Sequence, residues 1–172
     1  FLYLLPIFID YRIYIGQVKD VIKQRLYKRA LSGQNPQYIY QAGREAASKL
    51  SKIDEVVERM IWLDEQGVEV WILTASPQLF VEGIVDELQC PVKRVIGTLL
   101  ESYNGKLNGA IGEECRSHEK VRRFNAVVAQ EALRCSVQES YGNLPFDIPM
   151  LNLAKTKFYV KNNKLSLFKE EK

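Results

Sequence analysis

A single histidine, His118, stands in the 172 residues, so chemistry that needs a histidine cluster is closed to this chain. Cysteine is nearly as scarce, and Cys90, Cys115 and Cys135 lie far apart. Three scattered thiols make neither a disulfide framework nor a zinc motif, which predicts reduced thiols in a cytoplasmic protein. Long apolar runs are lacking too. The stretch Phe1-Leu2-Tyr3-Leu4-Leu5-Pro6-Ile7-Phe8-Ile9 falls well short of the roughly 20 residues needed to cross a bilayer. It has neither the basic leader nor the small-residue cleavage site of a signal peptide. Strong charge of either sign is absent. A net charge of +3 fits an anionic substrate or an anionic membrane surface and is too small to argue for nucleic acid. The first residue is Phe, not Met, so the chain is expected to begin inside a longer product or after processing.

What is present is ordinary for a soluble domain. Apolar residues make up 47% and charged residues 26%, enough for one real core with room for a small second lobe. Two regions differ in pattern. In the first, Val18, Ile22, Leu26 and Leu31 recur at helical spacing, with Lys19, Lys23, Arg25, Lys28 and Arg29 between them. Ser32-Gly33-Gln34-Asn35-Pro36 breaks that helix. A second is predicted from about Tyr38 through Ala46, Leu50, Ile53, Val57 and Ile61, ending near Gly67.

Beyond Gly67 short β-rich runs alternate with helical ones. Strands are predicted at Val68 to Leu73, Val92 to Thr98, Ser136 to Ser140 and Lys157 to Val160. Helices are predicted at Gln78 to Leu88, Ser117 to Leu133 and Phe146 to Ala154. Thr98 to Ile111 reads as a β-hairpin with Asn104-Gly105 at its tip. This alternation implies an α/β fold with a mostly parallel sheet and helices on both faces. Such sheets bind ligands at the carboxyl ends of their strands.

Three features fall at those ends. Thr74, directly after Trp71-Ile72-Leu73, places a hydroxyl before the free amides of a helix start, which suits a phosphate oxygen. Equally, Thr74 or Ser76 serves as an N-cap before Pro77. Lys120, in His118-Glu119-Lys120-Val121, sits in a first helical turn, where the helix dipole prefers carboxylates. A lysine facing an anion site accounts for this, and a solvated surface lysine is the other reading. Asn143 and Asp147 follow a strand and a glycine turn, and their oxygens suit a magnesium ion. They also suit a turn residue and a helix cap.

In order and spacing these segments resemble the haloacid dehalogenase superfamily, in the branch related to phosphoserine phosphatases with a helical cap. Val70 through Pro77 resembles that family's second motif. Val95-Ile96-Gly97-Thr98 and Asn104 through Gly109 resemble its hairpin. Cys115 to Val121 resembles the stretch with its third-motif lysine, and Tyr141-Gly142-Asn143 through Leu151 its acidic fourth motif. The resemblance implies a Rossmann-like core over 67–172 and a helical cap over 1–66. It also implies a magnesium-dependent phosphomonoesterase. An aspartate attacks phosphorus, water hydrolyses the aspartyl-phosphate, and a second aspartate two residues on is acid and base. Thr74, with Ala75 and Ser76, would bind the phosphate. Lys120 would neutralise charge on the phosphoryl group. Asn143 and Asp147 would serve Mg2+, with Asp147 either on the ion or one layer behind it.

The sequence departs from the family in two places. It has no Asp-x-Asp, and Ile9-Asp10-Tyr11 has no second acid, so Asp10 is not assigned as nucleophile and the first strand of the core is expected to be missing. Asn143 stands where most relatives have Asp, which removes one negative charge from the metal site. Leu4-Leu5-Pro6-Ile7, Thr74-Ala75-Ser76-Pro77-Gln78 and His118-Glu119-Lys120-Val121 are further similar to phosphatidylglycerophosphate phosphatases of the C type. That likeness implies a lipid phosphate substrate and peripheral contact of residues 1–30 with the inner face of a membrane. A small phosphomonoester such as phosphoserine is the soluble alternative. A non-catalytic binding protein is the reading from a different class.

Overall fold

The computed structural model describes residues 18–161 and 164–169. The expectations placed on the apolar opening run, on Asp10 and on most of the proposed membrane-contact segment lie outside the described residues. Helix α1 spans Val18–Leu31. Helix α2 spans Pro36–Ala47 and begins where the break was expected. The Asn35 side chain accepts from the Gln37 amide at 2.9 Å, and Pro36 fills a first-turn position where no amide is needed.

The single helix expected from Tyr38 to Ile61 is two. After α2 the chain closes on short turns, with the Lys49 and Leu50 amides donating to Ala46 and Ala47. Helix α3 restarts at Asp54–Glu65 with Asp54 and Glu55 at its positive end. It stops at Gly67 as predicted: the Gly67 amide donates to Asp64 and the Val68 amide to Leu63, the paired bonds of a Schellman ending.

Strand β1 (Trp71–Pro77) leads into α4 (Gln78–Leu88). Strand β2 (Arg94–Thr98) pairs parallel to β1, with Leu73 opposite Ile96. Strands β3 (Leu100–Tyr103) and β4 (Lys106–Ile111) form the predicted hairpin. Its two tip residues, Asn104 and Gly105, both take positive φ, as a twisted two-residue turn requires. Helix α5 covers His118–Gln130, strand β5 Glu139–Gly142 and the one-turn α6 Ile148–Leu151. Strand β6 (Thr156–Lys161) runs parallel to β5, and β7 (Lys164–Leu167), which the sequence pattern did not announce, runs antiparallel to β6.

The core is divided. Leu31, Ile39 and Leu107 are buried together, with Tyr27, Leu79, Phe80 and Leu100 packed against them, so α1 and α2 share one apolar centre with α4 and the hairpin. On the other side Arg59 of α3 bonds Glu139 of β5 through Nε at 3.1 Å and through its terminal nitrogen, and Tyr141 donates to the same carboxylate. Those bonds depress the Glu139 carboxyl, and burial with Glu139 raises the Tyr141 phenol well above its ordinary range.

Between these halves lies a cleft of about 680 Å³ lined by Val68 to Leu73 on one wall and Leu133 to Tyr141 on the other. Strand β1 pairs with β2 alone and β5 with β6 alone among the described residues. Each therefore presents one unpaired edge to the cleft. Trp71, Ile72 and Leu73 form a continuous apolar run of the kind buried on both faces in parallel sheets, yet they are only half-buried here.

Candidate active site

The carboxyl ends of β1, β2 and β5 are tied together by side chains. Thr98, at the end of β2, is buried at 2% exposure. Its hydroxyl donates to the Ala75 carbonyl at 2.8 Å and accepts from the Cys115 amide at 3.0 Å. One hydroxyl thus joins the end of β1 to the loop that leads into α5. Cys115 is fully buried, and its thiol bonds the Ile96 carbonyl at 3.7 Å. Burial pushes that thiol above its ordinary pKa, so it stays protonated and inert.

Helix α5 is pinned from its first turn. Glu119, 8% exposed, takes bonds from Arg122 and Arg123. These, Arg122 first and then Arg123, hold its carboxyl at about 2 against the opposing pull of burial. Arg123 also donates to the carbonyls of Gly97 and Glu113, which anchors α5 to β2 and to the loop before it. The next residue, Lys120, is 7% exposed, and its ammonium lies 2.6 Å from Asp147 Oδ1. The other Asp147 oxygen accepts from the Asn143 amide at 2.9 Å. Gly142 makes this possible. A Cβ there would stand 2.6 Å from the Asp147 Cβ, so only glycine lets the carboxylate fold back under β5.

The structure therefore brings Lys120, Asn143 and Asp147 together. It settles three local alternatives as well. Lys120 is not a solvated lysine. Asp147 occupies the N-cap position of α6 without a side-chain capping bond. Helix α4 is capped by Pro77, not by a hydroxyl, while the Thr74 hydroxyl accepts from the Ser76 amide at 3.1 Å. Thr74 is half-buried and Ser76 exposed at the end of β1, which Thr98 and Cys115 join to the loop before α5. Sequence reasoning passed over Thr98, Glu119 and Arg123. The first had a signal, a hydroxyl closing a strand. The other two had the four-residue spacing of a helical ion pair.

The sequence profile of the haloacid dehalogenase-like hydrolases matches residues 4–152. This chain belongs to that family. Three solved structures are similar to this haloacid dehalogenase-like chain. A substrate-bound phosphoserine phosphatase complex is 18% identical at a TM-score of 0.55, covering 81% of this chain and 63% of that one. A protein of unknown function from Bordetella pertussis Tohama I is 17% identical at 0.63, covering 90% and 80%. A probable phosphoserine phosphatase from Vibrio cholerae, unliganded, is 19% identical at 0.58, covering 83% and 41%. The fold is thus that of phosphoserine phosphatases, and the chain spans 63% of the length of the first of them. No curated protein sequence matches the chain.

No group of three or more acids, histidines or cysteines stands ready for a metal among the described residues. The donors at hand are hard oxygens of the kind magnesium takes. The Asn143 side chain is exposed and makes no hydrogen bond among the described residues. The Asp147 carboxylate keeps lone pairs beyond its two bonds. The two residues fit part of a magnesium shell.

Proposed function

We propose that this chain carries the greater part of a magnesium-dependent phosphomonoesterase, with residues 1–66 as cap region and 67–172 as core. Its nucleophilic aspartate would arrive on a strand seated in the cleft between β1 and β5. The observation that carries this reading is the buried Lys120. A buried ammonium is costly unless paired, and Asp147 is its one hydrogen-bond partner among the described residues. Two of its three protons are left to meet an anion.

In this reading Lys120 neutralises charge that builds on the phosphoryl oxygens. Asp147 aims the ammonium, and the Thr74 hydroxyl with the Ala75–Ser76 backbone receives a further phosphoryl oxygen. The incoming aspartate forms the P–O bond as the alcohol leaves, taking a proton from the second acid of the motif. Water then cleaves the aspartyl-phosphate to free phosphate. Asn143 and Asp147 would hold magnesium, which would supply further positive charge at the phosphate. The substrate is a phosphomonoester, either phosphoserine-like or a lipid phosphate. The lipid form is favoured by α1, where Ile22 and Leu26 are exposed one turn apart beside Lys23.

The test compares two chains with Mg2+ on phosphoserine and on a lipid phosphate. The 172 residues alone are expected to show no turnover. A chain extended ahead of Phe1 by an apolar strand bearing Asp-x-Asp is expected to turn over substrate, and Lys120→Ala to cut that rate roughly 100-fold or more. Lys120-dependent turnover by the 172 residues alone would refute the missing nucleophile. An inert extended chain would leave a non-catalytic binding protein as the better reading.

A further inference from the structure

Arg116 lies between β4 and α5, in a loop fixed from both sides. The residue before it, Cys115, is buried and anchored by its amide to the Thr98 hydroxyl. The Arg116 carbonyl accepts from the Glu119 amide at 3.0 Å in the first turn of α5. Arg116 is exposed, yet its side chain is not loose. Its guanidinium carbon lies 3.9 Å from the centroid of the Phe146 ring. Phe146 is itself half-exposed and directly precedes Asp147, the partner of Lys120. Two cations, Arg116 and Lys120, thus contact the adjacent residues Phe146 and Asp147.

Their pairing differs. Arg44, Arg59, Arg94, Arg122 and Arg123 each bond a carboxylate. Among the described residues Arg116 has none. The contact with the ring uses none of the guanidinium N–H groups, and that fork of donors matches a planar carboxylate or two oxygens of a phosphodiester. The electrostatic attraction of the Phe146 ring for the cation holds it there.

Resting on the phosphoryl site proposed above, we infer that Arg116 reads a second anionic group on the substrate. The site would then take phosphomonoesters whose phosphoryl group stands a few bonds from a carboxylate or a phosphodiester, over esters of neutral alcohols. The ammonium of Lys120 takes the phosphoryl end and the guanidinium edge takes the second anion.

The test titrates the 172-residue chain with Mg2+ and three ligands: ethyl phosphate, phosphoserine and a short-chain phosphatidylglycerophosphate. The readout is the ratio of each two-anion affinity to that of ethyl phosphate. At low salt a ratio of about five is expected for at least one of the two. Arg116→Ala should bring it to one, and Arg116→Lys should keep part of it because charge survives without the fork. Which ligand shows the ratio distinguishes a carboxylate source from a diester one. A ratio of one in the unaltered chain, or an unchanged ratio in Arg116→Ala, overturns the role of Arg116 and leaves the phosphoryl site standing. Failure of ethyl phosphate itself to bind sinks the phosphoryl site and this inference together.

Discussion

Glu119 shows how a residue beside the candidate site can steady the fold around it without touching a ligand. Its carboxyl, held at about 2 against an ordinary 4.5, binds fewer protons when folded than when unfolded. The stability it contributes is therefore complete above about pH 4.5 and is lost as pH falls through 2. The melting midpoint is expected to drop across that window. Glu119→Gln should melt lower at neutral pH and show a shallower fall in acid than the unaltered chain. Calorimetry over the pH series checks this, and parallel slopes for the two proteins would contradict it. Lys120, the neighbouring residue, was legible in sequence as a cation misplaced in a helix start. That its counter-ion is Asp147, 27 positions away, was not, because only packing brings α5 against α6.

At the scale of elements, the turn from β5 into α6 carries the most constraint. The glycine was legible as a turn. Its tighter role was not, since the atom it must avoid belongs to Asp147. Gly142→Ala is expected to cost about 1–3 kcal/mol in urea unfolding, the usual penalty for forcing atoms into a packed place. The same variant should release Asp147 from the Asn143 amide and from Lys120, so anion affinity should fall with stability. The hairpin and the end of α3 at Gly67 followed local signals alone, because their bonds close within a few residues. The split between α2 and α3 escaped because the apolar spacing runs on through Leu50, which ends up 46% exposed. Strand β7 escaped because its lysine-flanked pattern gains meaning only beside β6, with Phe158 opposite Leu167.

At the scale of the whole molecule the cleft dominates. Two strand edges and an apolar lining face it, and unpaired edges of that kind invite another strand. The 172 residues are expected to self-associate as concentration rises, and Val70→Lys, which places a charge on the cleft wall, to reduce this. Sedimentation velocity decides: a monomer at every concentration would count against it. Among the described residues no helix is long and apolar enough to cross a membrane.

The sequence by itself determined the α/β character, the alternation of strands and helices and the hairpin, and it nominated Thr74, Lys120, Asn143 and Asp147 as candidates. Each rests on periodicity, turn chemistry or motif order, all of which act over short stretches of chain. Only the tertiary structure decided that Lys120 is buried against Asp147, that Thr98 joins two loops, that Arg116 rests on Phe146, and that β1 and β5 stand apart. Those contacts span many residues in sequence, and only folding brings the groups that make them within bonding distance.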